Sequence, residues 1–132
     1  MNRIAQTRLM AVHPNGDRIP VTVAIGKPYK IAPNREWACP VSLADLYESL
    51  PDIHGEDGMQ ALCCAISLAL RLLESFQAQG GLLLGVNETG AEYELPENLE
   101  HLGLRLRTPE EYSQAFKEMT SYAQRVKRPG QT

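Results

Sequence analysis

One segment constrains this fold more than any other. From Asp57 to Gln79 the chain reads DGMQALCCAISLALRLLESFQAQ. Read as a helix, it is apolar around most of its circumference, with Met59, Leu62, Cys63, Cys64, Ile66, Leu68, Leu70, Leu72, Leu73 and Phe76 all seeking burial. Gln60, Ser67, Arg71, Glu74 and Ser75 fall on one narrow polar stripe. A helix on the surface of a domain needs an apolar stripe only about 100° wide. This helix therefore calls for two neighbours, a sheet on one side and a second helix or a second subunit on the other. Asp57 and Gln60 make an Asp-x-x-Gln variant of the capping box at its start, and Gly80-Gly81 stops it.

The residues before it alternate. Arg8 to His13 leads into Pro14-Asn15-Gly16-Asp17, and Asn-Gly favours a tight hairpin. The return strand places Ile19, Val21, Val23 and Ile25 on one face, and a third strand, Glu36 to Leu43, does the same with Trp37, Cys39, Val41 and Leu43. Pro20 and Pro40 cannot donate to a ladder, which assigns them to strand ends or edges. Residues 44–56 read as a connector with a turn or short strand at Asp45–Leu50.

After the helix, Leu82–Val86 is a short apolar run suited to a buried strand. Asn87–Gly90 reads as a turn, Ala91–Leu95 as a short strand and Pro96–Leu102 as a helical turn. Thr108-Pro109-Glu110-Glu111 starts a second helix, with Tyr112, Ala115, Phe116, Met119, Tyr122, Ala123 and Val126 on one side. The expected fold is α+β: an antiparallel sheet of four to five strands, one long apolar helix packed on it, and a C-terminal amphipathic helix beside that. Residues 1–128 form the single expected domain and 129–132 a loose tail.

The 132 residues are 43% hydrophobic and 22% charged, an ordinary globular composition. No continuous apolar run has the length of a membrane span, and the start MNRIAQTRLMAV lacks a leader's apolar core. Cys63 and Cys64 are adjacent, diverge by about 100° on a helix, and read as core filler. With Cys39 on a strand, the three thiols read as reduced, which places the chain in the cytoplasm and away from membranes. Charge is segregated. Residues 1–35 carry six basic and one acidic residue, net +5; residues 36–100 carry one basic and twelve acidic, net −11; residues 101–132 carry six basic and three acidic, net +3.

Each candidate for chemistry has a plainer explanation. His54-Gly55-Glu56-Asp57 reads as a turn and helix cap, its acids answering the helix dipole. Cys39, with His54 or His101 as base, has the residue types of a nucleophile and base, yet it shares a face with Trp37 and Val41, where a thiol acts as a small hydrophobe. Without a Cys-x-x-Cys or a phosphate-binding glycine loop, neither a metal nor a cofactor is expected. The basic block Arg3, Arg8, Arg18, Lys27, Lys30 and Arg35, with Tyr29 and Trp37, is the one candidate for nucleic acid; a pI near 5.6 and the lack of a recognition motif speak against it.

Three phrases carry a resemblance: IPVTVAIGKP at Ile19–Pro28, WACPV at Trp37–Val41, and GEDGMQAL at Gly55–Leu62. Together they resemble a family of small, uncharacterised bacterial proteins, a domain of unknown function with W-x-C-x-V and G-x-D-x-x-Q-A-L motifs. The resemblance spans residues 19–86. It implies a bacterial origin and an α+β shape, and brings no catalytic residues.

The functional expectation is a non-enzymatic module that binds a protein partner of basic charge, in one version an immunity-type protein neutralising a basic toxin. Its partner-binding residues would be Glu88, Glu92, Glu94, Glu97 and Glu100, a run with no basic residue among them. The rival readings are a small enzyme or ligand-binding domain, its pocket between the sheet and residues 87–107, and a structural homodimer.

Overall fold

The Pro14–Asp17 turn joins two long antiparallel strands, β1 (Arg3–Val12) and β2 (Arg18–Gly26), in a computed structural model that describes residues 1–31, 33, 36–95 and 117. Gly16 takes φ +94°, and the loop closes through the His13 N–H donating to the Asp17 carbonyl at 2.8 Å. The third predicted strand is in fact two. β3 (Tyr29–Ile31) precedes it, and β4 (Glu36–Cys39) and β5 (Val41–Ala44) then meet at Pro40, which has no N–H to continue a ladder. β4 becomes the centre of a three-stranded sheet, flanked by β3 and β6 (Ile53–Gly55). β5 instead pairs with β2. The connector's strand is thus β6, while Leu46 and Tyr47 close a turn onto the Leu43 carbonyl at 2.9 and 3.0 Å. Pro20 lies beyond the β2 residues Thr22–Ile25 that pair with β5, on a stretch with no strand on that side among the described residues.

The helix α1 (Gly58–Ala78) has the ends its sequence predicts. Asp57 Oδ1 accepts from the Gln60 N–H at 2.8 Å, and Gln60 Oε1 accepts from the Glu56 N–H at 2.6 Å. At the far end Gly80 takes φ +96°, its N–H donates to the Gln77 carbonyl, and the Gly81 N–H donates to the Phe76 carbonyl, both at 3.0 Å. These two bonds form a Schellman motif and satisfy carbonyls the helix would otherwise leave open. The chain then adds β7 (Leu82–Val86) and β8 (Glu92–Glu94), completing a five-stranded antiparallel sheet in the order β5-β2-β1-β7-β8.

The face that α1 buries is a correction to the sequence reading. Ala61, Ala65, Ala69, Leu73 and Phe76 face the core, while Cys63 and Cys64 are exposed and Met59 is 70% exposed. The strands supply the bulk here, with Val21, Val23, Ile25, Val41 and Leu43 in the same cluster. Small residues on the helix let its axis approach that surface closely, whereas a row of leucines would overfill the space. The helix is held at two further points. The Tyr47 hydroxyl donates to the Leu72 carbonyl at 3.0 Å, and the His13 ring meets Phe76 edge-on at 5.2 Å. Among the described residues α1 is long and apolar enough to cross a bilayer by length and composition, but it lies on the sheet with Arg71 and Glu74 outward. The predicted Pro96–Leu102 turn, Thr108–Val126 helix and 129–132 tail lie outside the described residues, apart from Lys117.

Candidate functional site

β8 is an outer strand of the five-stranded sheet, and Glu92, Tyr93 and Glu94 are all exposed on it. The turn before it is built by Asn87, whose Oδ1 accepts from the Thr89 N–H at 3.0 Å, the Ala91 N–H at 2.9 Å and the Thr89 hydroxyl at 2.7 Å. Glu88 is exposed at its tip. In the β7–β8 register Glu94 opposes Leu84 and Glu92 opposes Val86, so both carboxylates share the sheet face that α1 does not cover. Tyr93 opposes Gly85 on the other face, and its ring fills the space a Cβ would take there. Three expected partner-binding carboxylates, Glu88, Glu92 and Glu94, are therefore gathered at one sheet edge. Glu97 and Glu100 lie outside the described residues.

Glu92 is not without a cation. Arg18, from β2, donates to its Oε1 in an ion pair between partly exposed side chains. Such surface pairs contribute about 0–1 kcal/mol. The rest of the basic N-terminal block is also partly engaged. Arg3 donates to Gln6 Oε1 at 2.9 Å within β1, and Arg8 donates to the Asn87 carbonyl at 3.1 Å, tying β1 to the turn before β8. Arg35 lies outside the described residues.

A second polar surface sits on the three-stranded sheet. Register places Tyr29, Ala38 and His54 in one row. The Tyr29 hydroxyl donates to Asp52 Oδ2 at 2.5 Å, and His54 Nδ1 meets Glu36 Oε1 at 2.8 Å. The hydrogen bond to Asp52 raises the Tyr29 pKa, with desolvation and the Asp52 charge adding to it. Sequence reasoning singled out His54 but missed Tyr29–Asp52, because only the strand order brings those two residues together.

Cys39 is one residue from Ala38 on β4 and so points to the opposite face, away from His54. It is fully buried, with Sγ 3.4 Å from the Gly26 carbonyl. Burial and then the Asp52 charge push its pKa up, which keeps the thiol protonated. The Cys39–His54 nucleophile and base are therefore not assembled, and His101 lies outside the described residues. Thiol reactivity follows directly. Cys63 and Cys64 should react with a maleimide at the rate of free thiols, and Cys39 only when the protein unfolds. This reverses the sequence expectation for the first two. Since the unfolded Cys39 ionises first, stability should fall as pH rises past about 8.5.

Between β5 and the turn after it lies a cavity of about 420 Å³ lined by Ser42, Ala44, Asp45, Tyr47, Glu48 and Ser49. Among the described residues no group of three or more His, Cys, Asp or Glu side chains could hold a metal ion. The fold is thus an α+β domain with an acidic sheet edge and a separate face of exposed polar pairs. The chain belongs to the family of the domain of unknown function DUF6968, whose model matches residues 6–97 and so takes in every element described above except the first three residues of β1. No curated protein and no solved structure matches it.

Proposed function

We propose that this chain is a protein-binding module that uses the acidic β7–β8 edge to recognise a basic partner. The observation that carries this reading is the exposure of Glu88 and Glu94 beside Glu92 on an outer strand and its turn. Clustered carboxylates repel one another and do nothing for the core, so a function for them is external. Complementary charge speeds encounter and selects partners more than it adds affinity. In its particular version the module is an immunity-type protein of a bacterium, covering the basic surface of a toxin in the cytoplasm. The enzyme reading loses support from the parting of Cys39 and His54 onto opposite faces.

Capture from the native host with the full chain at low salt tests this. The expected catch is one basic protein, released as salt is raised and not retained by Glu88→Lys/Glu94→Lys. Glu92 is left in place because Arg18 already holds it. A neutral or acidic protein retained equally by parent and variant would overturn the proposal.

A further inference from the structure

The first half of β1 is bare. Arg3, Ile4, Ala5 and Gln6 are all exposed, Ile4 by 54%. β7 pairs with β1 only from Leu9 to Val12, so Arg3–Thr7 has no strand on that side among the described residues. The direction of its backbone follows from β2. The Gly26 N–H donates to the Pro40 carbonyl at 2.8 Å, which turns Gly26 toward β5. Alternation then turns Ile25 and Val23 toward their β1 partners, Ala5 and Thr7, and Gln6 between those two turns its N–H and C=O to the open side. A bulge between Arg3 and Ala5 limits the regular edge to Ala5–Thr7. Three residues suffice for pairing here, since β3, β6 and β8 are themselves strands of three. On the α1 face of this edge lies an apolar slot of about 160 Å³, lined chiefly by Ala5, Thr7, Val23, Ile25, Ile66 and Ala69. An apolar cavity of about 150 Å³ accepts a benzene ring. On the opposite face Arg3 donates to Gln6 Oε1, and Arg8 follows two residues on, exposed like both of them.

We propose that this edge accepts an extended segment of a partner protein as an added strand, with an aromatic side chain in the slot and a carboxylate between Arg3 and Arg8. The site stands apart from the acidic β7–β8 edge, on another strand and with the opposite charge. Two observations converge on an extended peptide. Outward backbone groups at Gln6 are met by another backbone, and a slot on one face of the edge is filled by alternate side chains. The residue opposite Gln6 exchanges two hydrogen bonds with it and shares its face, which calls for Asp or Glu beside the two arginines. The next residue points to the α1 face, and the size of the slot calls for Phe there. A second copy of this chain does not fit. Its β1 would bring Ala5 and Thr7 to the slot, too small to fill it, and would set Arg3 and Arg8 against the same two cations. β8 has the right residue order, Glu92-Tyr93-Glu94, but its Tyr93 ring already occupies the space over Gly85 and its Glu92 is paired with Arg18.

The probe is a labelled peptide, acetyl-TVEFEVT-amide, titrated with the full chain and read by fluorescence anisotropy. It should bind saturably. The peptides TVEAEVT and TVKFKVT should each bind about tenfold or more weakly, through loss of the aromatic anchor and reversal of the facing charge. Methylating both Glu nitrogens, which face Gln6, should weaken binding by about the same factor, whereas methylating the Phe nitrogen, which points away, should leave it unchanged. These readouts leave the chain itself untouched. Gln6→Pro removes the outward donor but no bond to β2, so it should weaken the parent peptide likewise while the chain stays folded by circular dichroism. No saturable binding up to about 1 mM peptide would overturn the proposal, whether a second copy or the chain's own later residues hold the edge. Equal binding of the parent and Glu-methylated peptides would also overturn it, since the slot would then take a side chain without strand pairing. Equal binding of TVEAEVT would do the same by leaving the slot without a role.

Discussion

Leu73→Ala should cost about 3–5 kcal/mol of stability, the upper part of the range for a buried leucine whose site cannot collapse. Leu73 is fully buried and is the largest fully buried residue that α1 contributes. Its neighbours on that face, Ala65 and Ala69, are already small and cannot move in to fill the gap. For a domain of this size the loss should lower the melting temperature by about 10 °C or more. Met59→Ala, at a position 70% exposed, should change stability by no more than about 0.5 kcal/mol. Thermal melts of the two variants beside the parent check both values. Equal destabilisation would mean that α1 is turned the other way, with the bulky positions inward.

Gly55→Ala should be about as damaging, through crowding and not through loss. A Cβ at Gly55 would lie 2.5 Å from the Ala61 nitrogen and 2.9 Å from its Cα, so the obstacle is backbone and cannot rotate aside. Either β6 must retreat from β4 or the first turn of α1 must lift from the sheet, which would pull Gln60 away from the Glu56 N–H. Overpacking of this kind costs about 1–3 kcal/mol and sometimes more, and this site belongs near the top. Gly16→Ala is the useful comparison. It meets nothing within 4 Å but sits at φ +94°, so its cost is the left-handed backbone alone, about 1–2 kcal/mol. Denaturant unfolding of both variants should rank Gly55→Ala as the more destabilised.

The ends of α1 were legible because capping is local. Asp57 with Gln60 and Gly80 with Gly81 act within a few residues, and the bonds they imply all form. The Asn15-Gly16 hairpin and the strand at Leu82–Val86 were legible for the same reason. The buried face of α1 was not. Side-chain size ranks leucine above alanine for burial, but the strand rows opposite already supply the bulk, and the helix positions that face them are the small Ala61, Ala65 and Ala69. Pro40 announced a break without saying that the chain would change sheets there. The acidic candidates were half legible. Composition picked out Glu88, Glu92 and Glu94, but the Arg18–Glu92 pair and the Tyr29–Asp52 bond depend on strand order that no local pattern contains.

Charge on an outer strand has a second use, since it deters edge-to-edge pairing with another sheet. Reversal to lysine separates that use from recognition, because a lysine protects an edge as well as a glutamate does and only the sign changes. The most direct test is the association rate of the isolated partner with the parent chain and with Glu88→Lys/Glu94→Lys, at low and at physiological ionic strength. The expected result is association slowed about tenfold or more at low salt, with the difference shrinking as salt screens the charges, and with dissociation and melting temperature unchanged. Equal association rates at both ionic strengths would contradict recognition through this edge.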